Sequence, residues 1–189
     1  GGRRKRRGRG WRGGPGGVGR AIEPKCPARR TRPTAGEDSV WDYPRTARVE
    51  QVAARVRVLD GRVTVAEKTS GLHVLATSHP PKYYFPRADV LAQALLPEAG
   101  SSWGEWKGRA QYHGVRGGDR VVHHAAWSYE QPEPPYRALA GTVAFYPGLM
   151  DECWVDDDLA RPQAGGFYGG WITDTIVGPF KGEPGTRLW

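Results

Sequence analysis

The chain has 189 residues, 38% of them hydrophobic and 25% charged, with a formal net charge of +8, which is room for one ordinary domain with a core. Two cysteines exclude a disulfide framework and a cysteine-built zinc site, and no run approaches the roughly 18 apolar residues of a transmembrane helix. The charge is uneven: residues 1–36 hold 12 Lys and Arg against the single acid Glu23, a balance of +11, and residues 37–189 hold 16 against 19, a balance of −3.

Residues 1–37, opening GGRRKRRGRGWRGGPGGVGR, read as a disordered basic tail, because their glycines and scarce aliphatic side chains leave nothing to offset the entropy of ordering. Three roles stay open for it. It is a weak nucleic-acid contact through phosphate binding and stacking on Trp11, a targeting segment, or a solvated and non-native extension, the last being favoured. No apolar stretch follows the paired arginines, so an export signal is not expected and the protein is expected to be cytoplasmic, without a membrane partner. Cys26 lies in the tail; Cys153, in DECWVDD, reads as a small buried hydrophobe ahead of a reactive thiol.

From residue 38 to 189 the grammar is β, and a single mainly β domain is expected, a tent-like or barrel-like sheet with one or two short helices. RVRVLDGRVTVAE predicts a hairpin whose two-residue type I′ turn is Asp60-Gly61, with Val56, Val58, Val63 and Val65 inward and Arg55, Arg57 and Arg62 outward. LHVLA is a further strand. SHPPKYYFP, residues 78–86, is too proline-rich for a helix and predicts a stiff extended wall, with the His79 ring pointing from a loop. RADVLAQALLPE predicts a short helix capped by Asp89 and stopped by Pro97. EWKGRAQYHGV and DRVVHHAAWSY are strands joined through Gly117-Gly118, and PEPPYRALAG offers one more turn. GTVAFYP, ECWVD and WITDTIV bring the count to about six to eight strands. The acidic run Asp156-Asp157-Asp158 reads as a solvated hairpin turn ahead of a Mg²⁺ chelate. Residues 161–189 form a Gly- and aromatic-rich strap laid over the sheet, since Phe167, Tyr168, Trp171 and Phe180 would otherwise be exposed. GGFYGG lacks the residues and context of a phosphate loop.

Three stretches set Trp or Tyr beside polar groups: SHPPKYY, EWKGRAQY and HHAAWSYEQPEPPY. Such clusters make pockets that sandwich a planar or cyclic ligand and fix its orientation, whereas a core filled only for stability favours Val, Ile and Leu. The predicted ligand-binding set is therefore His79, Tyr84, Trp106, Lys107, Trp127 and Tyr129, with Trp106 and Trp127 as floor, Tyr84 and Tyr129 as lining, and His79 and Lys107 as polar contacts; core packing is the competing reading of these aromatics. Consecutive on a strand, Trp106 and Lys107 would diverge, so both border one cavity only if Gly108 allows a bulge or the strand lies at a rim. His123 and His124 are expected on opposite faces of their strand. No metal site and no cofactor are expected, and no catalytic residue is assigned.

The segments WDYPR, LHVLATSHPPKYYFPRADV, EWKGRAQY, AAWSYEQPEPPYRALAGTVAFYP and GGFYGGW, running in order from about residue 39 to the C-terminus, resemble the bacterial family catalogued as domain of unknown function 427. That family also carries a nucleotidyltransferase-like label. The resemblance implies a mainly β, tent-like fold akin to methionine-R-sulfoxide reductases and the thalidomide-binding domain of cereblon, some of which hold zinc with four cysteines absent here. The chain departs from the label's chemistry, because its only Gly-Ser, Gly100-Ser101, is followed by the isolated Glu105 and by no acidic pair. Where many members carry Cys-Pro before WKG, this chain has Gly104-Glu105. The expected function is that of a small-molecule-binding β domain with an aromatic-lined cavity, its ligand unassigned. Its alternatives are a metal-dependent nucleotidyltransferase-like enzyme and a nucleic-acid-binding module acting through the tail.

Overall fold

Short β-branched runs broken by Gly, Pro and Asp lack the 3.6-residue period of a helix and pair instead; the computed structural model, which describes residue 27 and residues 30–189, is accordingly mainly β. In chain order the strands are β1 (Asp38–Ser39), β2 (Arg48–Val52), β3 (Val56–Asp60), β4 (Val63–Lys68), β5 (Gly71–Ala76), β6 (His79–Pro86), β7 (Leu95–Gly104), β8 (Gly108–Gly117), β9 (Arg120–Ser128), β10 (Thr142–Phe145), β11 (Glu152–Val155), β12 (Asp158–Leu159), β13 (Arg161–Pro162), β14 (Trp171–Ile172) and β15 (Ile176–Val177). Helical structure among the described residues is confined to 3-10 turns at Arg87–Asp89, Ala92–Ala94, Pro134–Leu139 and Pro147–Leu149. None of it is long and apolar enough to cross a membrane. Most of the basic tail, with Trp11 and Cys26, lies outside the described residues. Residues 30–37 run along the domain, where the Thr31 N–H donates to the Gly178 carbonyl at 3.3 Å and the Arg30 guanidinium stands 5.3 Å from the centre of the Trp41 ring.

Seven strands form an open sheet in the order β2-β5-β6-β10-β9-β8-β7, and four form a second in the order β12-β11-β3-β4. No sheet closes on itself, so the barrel-like alternative does not apply. The main core lies between the two sheets. Val56, Val58, Val65 and Cys153 meet Tyr83, Phe85, Ala126, Val143 and Phe145 there, and the strap adds Trp171, 1% exposed. Because neighbouring strand residues face opposite ways, Tyr84, Ala144 and Trp127 fall on the other face of the large sheet. They form a second cluster there with Tyr129, Ala110 and the Tyr136 and Leu139 of the Pro134–Leu139 turn. The candidate site belongs to this second face.

Several expectations need correction. The β3–β4 turn is Gly61-Arg62 in place of Asp60-Gly61, both at positive φ (56° and 65°). Asp60 is the last strand residue and is fully buried, its carboxylate taking a hydrogen bond from Arg120, which also reaches Asp151. A bulge after Val58 brings Val65 and Ala66 inward together and leaves Val63 only half-buried. RADVLAQALLPE makes no α-helix. So short a segment is marginal as a helix alone, and β4 captures it, the Leu91 N–H donating to the Val65 carbonyl at 2.8 Å and Asp89 pairing with Lys68 at 3.1 Å. Pro97 then lies within β7.

SHPPKYYFP supplies a strand inside the sheet, between β5 and β10, where prolines are ordinarily excluded for want of an N–H. It survives because β10 pairs only with Tyr84, Phe85 and Pro86, and the β5 register slips between Lys82 and His79. Pro80 and Pro81 therefore sit where no ladder bond is required of them. In the strap, Trp171 is buried as expected, but Phe167 is 59% exposed.

Candidate functional site

The face of β6 that carries Tyr84 also carries Lys82, two residues earlier. The same face of β9 carries Trp127, followed by Tyr129, and that of β8 carries Ala110 and Tyr112. Over them pass the β7–β8 turn and the strap, enclosing a cavity of about 640 Å³. Its lining includes His79, Trp106, Lys107, Trp127 and Tyr129, five of the six predicted site residues.

Tyr84 does not line the cavity: 2% exposed, it lies in the layer beneath, accepting a hydrogen bond from the Trp127 indole N–H at 3.3 Å and meeting that ring edge-on at 6.2 Å. Trp127, 5% exposed, is the floor. Trp106 is corrected from floor to rim, at 44% exposure. It and Lys107 stand in the turn between β7 and β8, not on a strand, and the turn closes at Gly108 with φ +96°. A turn has no two-residue alternation to obey, so both side chains border the cavity.

The strap makes the opposite wall. Gly169 stands at φ +68° where a Cβ would come within 2.6 Å of the Trp127 indole, so this glycine of GGFYGG serves close approach of backbone to ring. Tyr146 also meets Trp127, at 4.6 Å between ring centres, and its hydroxyl donates to the Phe167 carbonyl at 3.1 Å. Burial, and then the neighbouring Tyr112, raises the Tyr129 hydroxyl to about 12, so it stays a neutral donor.

His79 is the first residue of β6, with its ring tied into the strap rather than free on a loop. Buried Gln163 fixes it. The Gln163 carboxamide oxygen accepts from the Gly170 N–H at 3.2 Å, and its nitrogen donates to the Lys181 carbonyl at 2.7 Å and to His79 Nδ1 at 3.0 Å. The carbonyl accepts and the Gly170 N–H donates, so the amide orientation is determined, and His79 Nδ1 is unprotonated with its hydrogen on Nε2. Burial, reinforced by Lys82 and Lys181, lowers the His79 pKa to about 2, and the ring is neutral. Tyr168 packs edge-on against it at 4.7 Å.

Lys82, Lys181, Tyr112, Tyr146 and Tyr168 line the cavity as well, outside the predicted set. Burial, then Lys107, lowers the Lys82 pKa to about 7; burial also lowers that of Lys107, with Glu105 acting against it. The period-two alternation of β6 was the available signal for Lys82. For Lys181 and Tyr168, supplied by the strap, the sequence held no local signal.

The remaining chemistry-bearing groups lie apart. His123 and His124 do not diverge: β9 bulges there, with His124 at φ 51°, and both rings turn toward Glu98, His123 Nδ1 at 2.5 Å and His124 Nε2 at 3.5 Å. Asp156 and Asp157 make the β11–β12 turn, Asp156 accepting from the Arg55 N–H at 2.9 Å and Asp158 from the Asp174 N–H at 2.7 Å. Cys153 is 2% exposed, and burial raises its thiol pKa. Among the described residues no group of three or more His, Cys, Asp or Glu side chains is placed to hold a metal ion.

No curated protein matches the chain. Residues 48–156, more than half of the sequence and spanning β2 to the β11–β12 turn, match the domain of unknown function DUF427, and the chain belongs to that family.

Proposed function

We propose that this protein binds a small molecule in the cavity between the large sheet and the strap. The observation that carries the reading is the combination of a buried aromatic floor, Trp127 with Tyr129, and polar groups held at its border, His79 and Lys107, around about 640 Å³ of concave space. Cavities of roughly 300–1,000 Å³ with apolar walls and a few fixed polar groups are the usual form of a ligand site. The half-buried His79 is locked by Gln163 before any ligand arrives, so little ordering cost remains for that contact.

A ligand-observed NMR screen of planar fragments tests the proposal. Hits should compete with one another, and His79→Ala and Lys107→Ala should weaken them together while each costs under about 1 kcal/mol of stability, as changes of partly exposed groups generally do. Hits that neither compete nor respond to the two substitutions would refute it. Of the other expected classes, metal-dependent nucleotidyl transfer draws support from no feature of this cavity, and the nucleic-acid reading concerns the tail.

A further inference from the structure

Five cationic side chains line the cavity, Arg45, Lys82, Lys107, Lys181 and Arg187, against one acidic side chain, Glu105. The two arginines are exposed, while the three lysines are half-buried. Among the described residues none of the side-chain ion pairs engages Lys82 or Lys107. Lys181 Nζ donates to the main-chain oxygen of Trp189, the last residue of the sequence, at 2.7 Å and stands 5.9 Å from the Tyr168 ring centre, so the lysines that matter here are Lys82 and Lys107, whose Nζ stands 5.9 Å from the Tyr136 ring centre.

Withdrawing ammonium groups from water without a counter-charge is costly, and gathering several in one enclosure adds mutual repulsion. That repulsion registers at both ends of the cluster: Lys107 presses on Lys82, and Lys82, Lys181 and Lys107 all press on His79 after the larger effect of burial. Packing does not require the charges, since aliphatic side chains would fill the same positions. A ligand bearing negative charge would reverse the balance, turning each unfavourable cation into a charge-assisted donor.

We infer that the ligand is an oxyanion borne on a planar ring, a carboxylate or a phosphate ester, with the ring on Trp127 and Tyr129 and the anionic group between Lys82 and Lys107. This inference rests on the cavity being a small-molecule site. Carboxylate and phosphate ester share the recognition chemistry, and the experiment separates them.

The test is calorimetric titration of the full chain at pH 7 and low salt with three probes of one ring, 2-naphthoate, 2-naphthyl phosphate and the uncharged 2-naphthamide. At least one anion should bind tenfold or more tightly than the amide, and the margin should shrink with added salt. Which anion binds better identifies the oxyanion. Lys82→Met should weaken the preferred anion about tenfold and change the amide by less than twofold; Lys107→Met serves the same purpose should the first variant not fold. Amide binding equal to that of both anions, or anion binding indifferent to both substitutions, overturns the inference and leaves the binding cavity standing. Failure of all three probes to bind overturns the cavity reading and this inference with it.

Discussion

Protonation of His79 should be a measurable liability of the fold. The ring is held neutral, with its folded pKa lowered to about 2 from an ordinary 6.5, by burial first and by Lys82, Lys181 and Lys107 beside it. For a base whose folded pKa is depressed, the unfolded chain takes up the proton first. Stability is therefore complete above pH 6.5 and is lost as the pH falls from 6.5 toward 2. Each pH unit in that window costs at most about 1.4 kcal/mol, hence about 2 kcal/mol between pH 6.5 and 5. The ring borders an open cavity, and water screening reduces the expected loss to about 1–2 kcal/mol. His73 and His113 are also lowered, by burial first, and slope the same way, while the lowered carboxylates Glu98 and Glu130 act only below about pH 4.5. A His79→Gln variant isolates the term. In urea unfolding followed by tryptophan fluorescence at pH 7, 6 and 5, the stability of the parent should fall relative to the variant by about 1–2 kcal/mol between pH 7 and 5. Parallel curves for the two proteins would refute the claim that the ring is buried neutral among cations.

Lys82→Met should raise stability at pH 7 by about 1 kcal/mol or more, because the folded pKa of about 7 against 10.5 makes the parent gain stability as pH rises through that interval; urea midpoints at pH 7 and 9.5 should show the gain in the parent and not in the variant. Trp127→Ala should cost about 3–5 kcal/mol, since the indole is 5% exposed and holds the Tyr84 hydroxyl, and a loss under about 1 kcal/mol would place the ring outside the packed floor. Gly169→Ala should destabilise by about 2 kcal/mol or more, combining a positive φ with a Cβ 2.6 Å from the Trp127 ring; an unchanged melting temperature would mean that the strap does not press on the indole. Peptide mapping after thiol labelling should find Cys153 modified only in denaturant, because the thiol is 2% exposed and its pKa is raised.

What was legible in the sequence was decided by neighbours close along the chain. Alternation in RVRVLDGRVTVAE makes the β3–β4 hairpin visible, and Tyr83-Tyr84, Tyr112 and Trp127, set beside polar groups, mark β6, β8 and β9. The turn register was missed by one residue because Arg62 occupies a positive-φ position that residue statistics assign to glycine, while Asp60 is withdrawn into the core by Arg120, sixty positions later. SHPPKYYFP reads locally as a stiff extended wall, and only the slipped β5 register and the short reach of β10 let it serve as a strand inside the sheet. His123 and His124 were assigned to opposite faces by the period of a regular strand, which the bulge in β9 breaks. The candidate site divides along the same line. Trp127, Tyr129 and Trp106 announce themselves by composition, whereas Lys82 looks incidental until its shared face with Tyr84 is counted, and Lys181 is brought to the cavity by the strap, its carbonyl accepting from Gln163 and its N–H donating to the Ser78 carbonyl. Gln163, which also donates to His79, is one of several links between strap and sheet, beside the Tyr146 hydroxyl on the Phe167 carbonyl and the Trp171 indole on the Phe145 carbonyl. The cationic end of the cavity is thus a tertiary property, and Gln163, absent from every local motif, is a residue through which a change in the strap would reach both His79 and Lys181.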